Sequence, residues 1–228
     1  MPSHTPPNSI RIWDLPTRLF HALLILCVVG LVITGEVGGE VMRLHFLFGY
    51  GVLTLILFRL VWGCVGGHWS RFVNFVPSAS QLRAYLQALR SHSAAKSIGH
   101  NPLGALSVVA MLTVLLLQVL SGFISDDEIA TTGPWTSLVP NTWIELATEY
   151  HAEVGKIVLI ALVILHVGSI FYYKRYKNED LITPMIKGDK QVPPSTPASR
   201  DTFTSRIFAL SVLLACAYAV YQLVNLAT

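Results

Sequence analysis

HAEVGKIVLIALVILHVGSIFYY, residues His151 to Tyr173, is the stretch whose reading decides the fold. It is long enough to cross a bilayer, for which about 20 apolar residues suffice. It opens on one histidine and carries another, His166, fifteen residues later. Fifteen residues of α-helix rise about 22 Å and return to within roughly 60° of the same face. Ionisable side chains inside a bilayer are costly and tend to mark function. Two more histidines, His21 and His45, lie in two other apolar runs. Two on one helix, with one on each of two others, is a geometry able to hold two cofactors stacked across a membrane.

The rest of the chain agrees with a membrane setting. Of 228 residues, 53% are hydrophobic and 13% charged, with a mean hydropathy of +0.56. Soluble domains carry nearer 25% charged residues, so a soluble globular protein is excluded. Apolar runs predict membrane helices near Leu19 to Thr34, His45 to Val65, Leu103 to Ile124, His151 to Tyr173 and Ile207 to Leu226. The N-terminus is polar and the first apolar run starts late, so no cleavable signal peptide is expected and the first helix is expected to stay in the mature protein.

Basic residues set the expected orientation. Arg71, Arg83, Arg90 and Lys96 lie between helices two and three, and Lys174, Arg175, Lys177, Lys187, Lys190, Arg200 and Arg206 follow helix four. The opposite side has Arg43 and Lys156 against Glu36, Glu40, Asp126, Asp127, Glu128, Glu145, Glu149 and Glu153. The N-terminus is therefore expected in the cytoplasm and the C-terminus, after five helices, outside. An amphipathic stretch, Ala79 to Arg90, follows the helix-start signal Pro77-Ser78 and is expected along the membrane surface. Trp135 and Trp143 are expected as interfacial anchors of the external connection.

With that orientation the histidines pair by depth: His45 with His151 on the outer side, His21 with His166 on the inner side. Each pair can supply two axial ligands to one haem iron. Gly49 and Gly155 each lie one turn after an outer histidine and leave room for a flat porphyrin, or else allow close helix packing. Arg43 and Lys156 on the outside, and Arg18 and Arg59 towards the inside, are candidates to meet haem propionates; snorkelling is the other reading of Arg59. A metal transporter would gather carboxylates or thiols at one depth, and a proton relay would need a chain of carboxylates. Neither pattern is present in the apolar runs, whereas haem fits two layers of imidazole. Cys27, Cys64 and Cys216 form no C-x-x-C-H motif, so covalent c-type attachment is excluded, and they read as small apolar helix residues. His4 and His92 read as solvated, and His68 and His100 as polar flanks at the membrane surface.

Several segments carry a family resemblance. Ile12-Trp13-Asp14, Arg18-Leu19-Phe20-His21, His45-Phe46-Leu47-Phe48-Gly49-Tyr50 and Arg59-Leu60-Val61-Trp62-Gly63 open it. Gly99-His100-Asn101-Pro102-Leu103-Gly104, Asn178-Glu179-Asp180-Leu181 and Pro184-Met185-Ile186-Lys187-Gly188 continue it. Together they resemble the bacterial cytochrome b561 and nickel-iron hydrogenase cytochrome b subunit family over roughly residues 10 to 190. The resemblance implies an all-α integral membrane protein of the bacterial cytoplasmic (inner) membrane. Its core would be a four-helix haem-binding transmembrane bundle; the fifth C-terminal transmembrane helix read from the apolar runs lies beyond the usual hydrogenase-subunit core. It also implies two non-covalent b-type haems ligated by His21, His45, His151 and His166. The expected organisation is a dihaem cytochrome b domain over 1–190, a Pro/Ser-rich linker over 191–202 and the fifth helix over 203–228.

Members of the family pass electrons between a redox protein outside the membrane and the quinone pool. The resemblance therefore implies a periplasmic partner such as a c-type cytochrome or a hydrogenase-like protein, with quinone as substrate and lipid as surroundings. No nucleic-acid partner is expected, and homo-oligomerisation stays open. Two other readings also stay open. One is a self-contained quinone oxidoreductase acting on a small molecule such as superoxide; the other is a haem-containing membrane anchor of a larger enzyme. Bis-imidazole iron has no vacant position, so one-electron transfer is its natural task.

Overall fold

The computed structural model describes residues 8–91, 93, 96–129 and 131–226; His4 and His92 lie outside them. Among the described residues, five helical spans are long and apolar enough to cross a membrane: Leu15–Val37, Gly39–Val65, Pro102–Phe123, Asn141–Tyr176 and Phe203–Val224. Leucine, isoleucine and valine side chains such as Leu26, Ile33, Ile164 and Leu165 stand exposed along them. That is how a helix surrounded by lipid reads, since hydrocarbon solvates such side chains as well as a protein core does. The protein is a multi-pass, all-α membrane protein.

In chain order the elements are β1 (Asn8–Arg11), α1 (Leu15–Val37), α2 (Met42–Val65), the short α3 (Phe72–Phe75), α4 (Ala79–Arg90) and α5 (Pro102–Phe123). There follow α6 (Asn141–Glu149), a π-helical turn over Tyr150–Gly155, α7 (Lys156–Tyr176), α8 (Ile182–Lys187), β2 (Asp189–Val192) and α9 (Phe203–Val224). Local chemistry explains the boundaries. Gly38 and Gly39 adopt φ of 65° and 57°, conformations cheap only for glycine, and they turn the chain from α1 to α2. Ser78 and Gln81 form a reciprocal capping box at the start of α4, so the helix starts at the predicted signal. Asn101 accepts the Gly104 N–H at 2.8 Å and caps α5 ahead of Pro102.

The fourth span differs from its expected form. His151 was expected to open it, yet the helix begins ten residues earlier at Asn141 and runs 36 residues to Tyr176. His151 sits inside the π-helical turn. Such a turn adds residues without advancing the helical phase normally, so the 60° relation between His151 and His166 does not carry over from a straight α-helix. Trp143 stands exposed as expected of an interfacial anchor, whereas Trp135 is half-buried. Its ring packs on Phe123 at 4.8 Å and its Nε1 donates to the Leu223 carbonyl at 2.7 Å, which ties it to α9.

The chain clusters into two compact units, to each of which every membrane span contributes residues. The first unit comprises the chain up to Leu19, Leu60–Val109 and His166–Ala209. Here β1 pairs antiparallel with β2, Arg11 opposite Asp189, over a small core of Ile12, Trp13 and Val192. Its centre is the fully buried carboxylate of Asp14. This accepts from the Thr17 N–H at 2.9 Å, the Ser70 hydroxyl at 2.8 Å, the Gly67 N–H at 3.1 Å and the Trp62 indole at 3.2 Å. A buried charge is tolerated when it is supplied with donors in this way.

The Pro/Ser-rich segment expected as a linker is hydrogen-bonded to the same unit. Ser199 donates its N–H to the Arg11 carbonyl at 2.7 Å and its hydroxyl to the Ile12 carbonyl at 2.6 Å. Asp201 pairs with Arg11 and Arg206, both at 2.9 Å. The hydrogen-bonding capacity of a Pro/Ser-rich stretch, invisible in its composition, is what holds it there.

The second unit comprises Phe20–Arg59, Ala110–Leu165 and the chain from Leu210. Its core joins Val52, Leu53 and Ile56 of α2, Leu115, Val119 and Phe123 of α5, Leu159 of α7 and Val220 of α9. The fifth span is thus a packing element of this unit. Replacing Asp14 by alanine is expected to lower stability by about 3–5 kcal/mol, because four donors lose their acceptor. Unfolding of the purified protein in detergent checks this, and an unchanged midpoint would contradict it.

Candidate functional site

The second unit contains a half-open cavity of about 430 Å³. Its wall is largely apolar, with Val28, Leu31, Val119 and Leu159 among its residues, and Glu36, Asp127, Glu153 and Lys156 also line it. Two imidazoles, His45 of α2 and His151 of the π-helical turn, enter this cavity. Their ring centroids are 6.1 Å apart and their planes stand at 78°.

The hydrogen bonds of each ring fix which nitrogen is left over. His45 Nδ1 lies 3.1 Å from the Leu31 carbonyl and 3.2 Å from Thr34 Oγ1. His151 Nδ1 lies 2.8 Å from the Gln118 carbonyl and 3.3 Å from Ser121 Oγ. A carbonyl can only accept, so both Nδ1 atoms carry the proton and both Nε2 atoms keep a free lone pair. Metal-ligating histidines are held in this way, with the remote N–H on a main-chain carbonyl.

Thr34 donates its own proton to the Gly30 carbonyl at 2.7 Å, and Ser121 donates its own to the Gln118 carbonyl at 2.9 Å. Their lone pairs therefore face the imidazoles. The Gln118 amide also donates to the His151 carbonyl at 2.7 Å, fastening the π-helical turn to α5.

Glycines make room for the rings. A Cβ on Gly122 would lie 2.8 Å from His151 Cε1, and one on Gly35 would lie 3.2 Å from His45 Cε1. Neither glycine was singled out from the sequence, nor were Thr34, Gln118 and Ser121. The only trace is a repeated hydroxyl-glycine pair, Thr34-Gly35 and Ser121-Gly122, and nothing local links either pair to a histidine on another helix. Of the two glycines that were singled out, Gly49 lines the cavity and a Cβ there would meet nothing within 4 Å. Gly155 instead is buried against Gln118 and Tyr150, so its missing side chain serves helix packing.

The charged candidates are dispersed. Lys156 lines the cavity and pairs with Glu36 at 3.3 Å. Arg43 lines an adjoining, more open hollow with Glu40, Thr131 and Pro134. Arg18 donates to the Ile186 carbonyl at 2.6 Å within the first unit. Arg59 is 3% exposed, which disfavours snorkelling as the reason for its position. His21 is half-buried on α1 in the second unit, and His166 is half-buried on α7 in the first.

The donor set suits a metal that brings most of its own ligands. An imidazole–metal bond is about 2 Å, so two imidazoles on opposite sides of one metal place their centroids roughly 6 Å apart, which matches His45 and His151. Among the described residues no group of three or more His, Cys, Asp or Glu is placed to hold a bare ion. Two axial imidazoles over an apolar cavity therefore fit a haem.

Comparison with known proteins bears on the same region. The family model described as prokaryotic cytochrome b561 matches residues 12–188. A probable Ni/Fe-hydrogenase B-type cytochrome subunit of Rhizobium leguminosarum bv. viciae is 23% identical over 218 residues, covering 80% of this chain and 89% of the relative. Its counterpart in Azotobacter chroococcum mcd 1 is 25% identical over 222 residues, covering 83% and 92%. The probable Ni/Fe-hydrogenase 1 B-type cytochrome subunit of Escherichia coli (strain K12) is 26% identical over 141 residues, covering 50% and 59%.

Substituting Gly122 by valine is expected to push His151 out of position and to weaken haem retention by about 10–100-fold, with the helix content unchanged. Haem absorbance per protein alongside circular dichroism checks this; full retention of haem would contradict it.

Proposed function

The chain belongs to the prokaryotic cytochrome b561 family, and from that premise we propose that it is a dihaem electron conduit of the bacterial inner membrane. On this reading it holds two b-type haems without covalent attachment. It passes single electrons between a redox protein on the periplasmic side and membrane quinone, with its N-terminus in the cytoplasm and its C-terminus in the periplasm. The observation that carries the reading is the His45–His151 pair, whose Nδ1 protons are committed to main-chain carbonyls while both Nε2 lone pairs stay available.

When bound, the haem supplies the one-electron redox change. The protein's own residues do the rest. His45 and His151 would hold the outer haem through their Nε2 atoms, which suits electron transfer rather than binding of an exogenous ligand. The apolar part of the cavity wall would lower the local dielectric around the group, and the main-chain carbonyls behind the imidazoles raise their basicity. Lys156 and Arg43 are the cations we assign to propionates, with Lys156 exchanging its exposed partner Glu36 for one of them. For the inner haem we assign His21 and His166, on helix depth in the sequence, with Arg18 and Arg59 as candidate cations.

The relatives' names supply the partner class. They are named as cytochrome subunits of Ni/Fe-hydrogenases, so a hydrogenase-like protein with its own redox centres is the partner we infer. The carboxylates Glu36, Asp126, Asp127 and Glu153 line the cavity and would favour a partner surface that is basic around its electron exit.

Pyridine haemochrome analysis tests the reading. The wild type is expected to carry two b haems per chain, and His45→Ala or His151→Ala one. Fewer than one haem in well-folded wild type, or loss of both from either variant, would contradict it. Turnover with quinone is expected only when the periplasmic partner is present. Turnover by the purified chain with quinone and superoxide alone would favour a self-contained oxidoreductase instead.

A further inference from the structure

The two histidines of the cavity are held by the same device built twice. On α1 it consists of the Leu31 carbonyl, the Thr34 hydroxyl three residues later and Gly35 one residue after that. On α5 it consists of the Gln118 carbonyl, the Ser121 hydroxyl and Gly122 at the same spacing. Three and four residues along a helix lie on one face, so carbonyl, hydroxyl and glycine form a single patch against each ring. A carbonyl alone would hold the ring at Nδ1 yet let the plane rock about that contact. The second acceptor beside it, with the glycine against the ring, removes that freedom.

Resting on the haem reading above, we infer that Thr34 and Ser121 are positioning residues that fix the rotation of the two axial imidazoles, so that their planes stand close to perpendicular. The angle of 78° between the rings is the direct expression of this arrangement. Both hydroxyls are poised for the role because their protons are spent on Gly30 and Gln118 carbonyls of their own helices, which leaves only acceptor capacity towards the imidazole.

Ring orientation has an electronic consequence that packing alone lacks. Two imidazoles set parallel on a low-spin ferric iron split its d orbitals and give a rhombic electron paramagnetic resonance signal. Perpendicular planes leave two of those orbitals nearly degenerate and give a highly anisotropic one. The hydroxyl contacts also add to the electron density on each imidazole, so the reduction potential depends on them.

The test uses the full-length, haem-loaded protein. The wild-type spectrum is expected to contain a highly anisotropic low-spin signal that disappears in His45→Ala. Thr34→Val and Ser121→Ala are each expected to keep the wild-type haem content while shifting that signal towards the rhombic form and moving its midpoint potential. The hydroxyl-retaining variants Thr34→Ser and Ser121→Thr are expected to restore both. Unchanged spectra and potentials in both hydroxyl-free variants would overturn the positioning role, as would a rhombic wild-type signal for this haem. Loss of haem from both variants would also overturn it, by making the hydroxyls retention groups. Absence of haem from the wild type would instead defeat the cytochrome reading itself, and haemochrome analysis separates these failures.

Discussion

Everything distinctive about this molecule depends on two main-chain carbonyls, those of Leu31 and Gln118, each accepting an imidazole N–H from another helical segment. A helix carbonyl engaged in its own ladder can still accept further donors, and here that capacity is spent on orienting a ligand. The bond turns a costly polar ring inside an apolar bundle into a satisfied one. It also decides the tautomer and so presents Nε2. Remove it, and the same histidines would be freer to use either nitrogen, and the 6.1 Å spacing between the rings would lose its strongest restraint.

The surrounding fold supplies what those bonds require. Close approach of α1 to His45 and of α5 to His151 is possible because Gly35 and Gly122 have no side chain. The π-helical turn over Tyr150–Gly155 carries His151, and the Gln118 side chain anchors its backbone. Local departures of this kind recur at functional sites. The first unit meets its polar demands separately, through the Asp14 carboxylate and the ion pairs of Arg11 and Asp201.

Much of this was legible from the residues. Five apolar runs, the Ser78 cap and the Asn101-Pro102 start of α5 follow from local chemistry, and the structure has a long helix over each run, the fourth extended at its start to Asn141. The meeting of His45 and His151 followed from counting depth along helices. The parts that escaped are relations between helices, which no periodicity encodes. The π-helical turn leaves no mark in the apolar pattern of residues 141–176. Gly35 and Gly122 look like any small residue in a membrane helix, while Gly155, one turn from a histidine, proved to be a packing contact. Trp135 reads as an interfacial anchor and the 191–202 segment as a linker, and the tertiary hydrogen bonds that hold both leave no trace in composition.

The central claim is that His45 and His151 form one axial pair. It is tested most directly by a structure of the haem-loaded protein with iron located by its anomalous scattering. An iron atom flanked by the Nε2 atoms of these two residues, with the Nδ1 bonds to Leu31 and Gln118 intact, is the expected result. Iron bound elsewhere, or either imidazole turned to offer Nδ1, would contradict it.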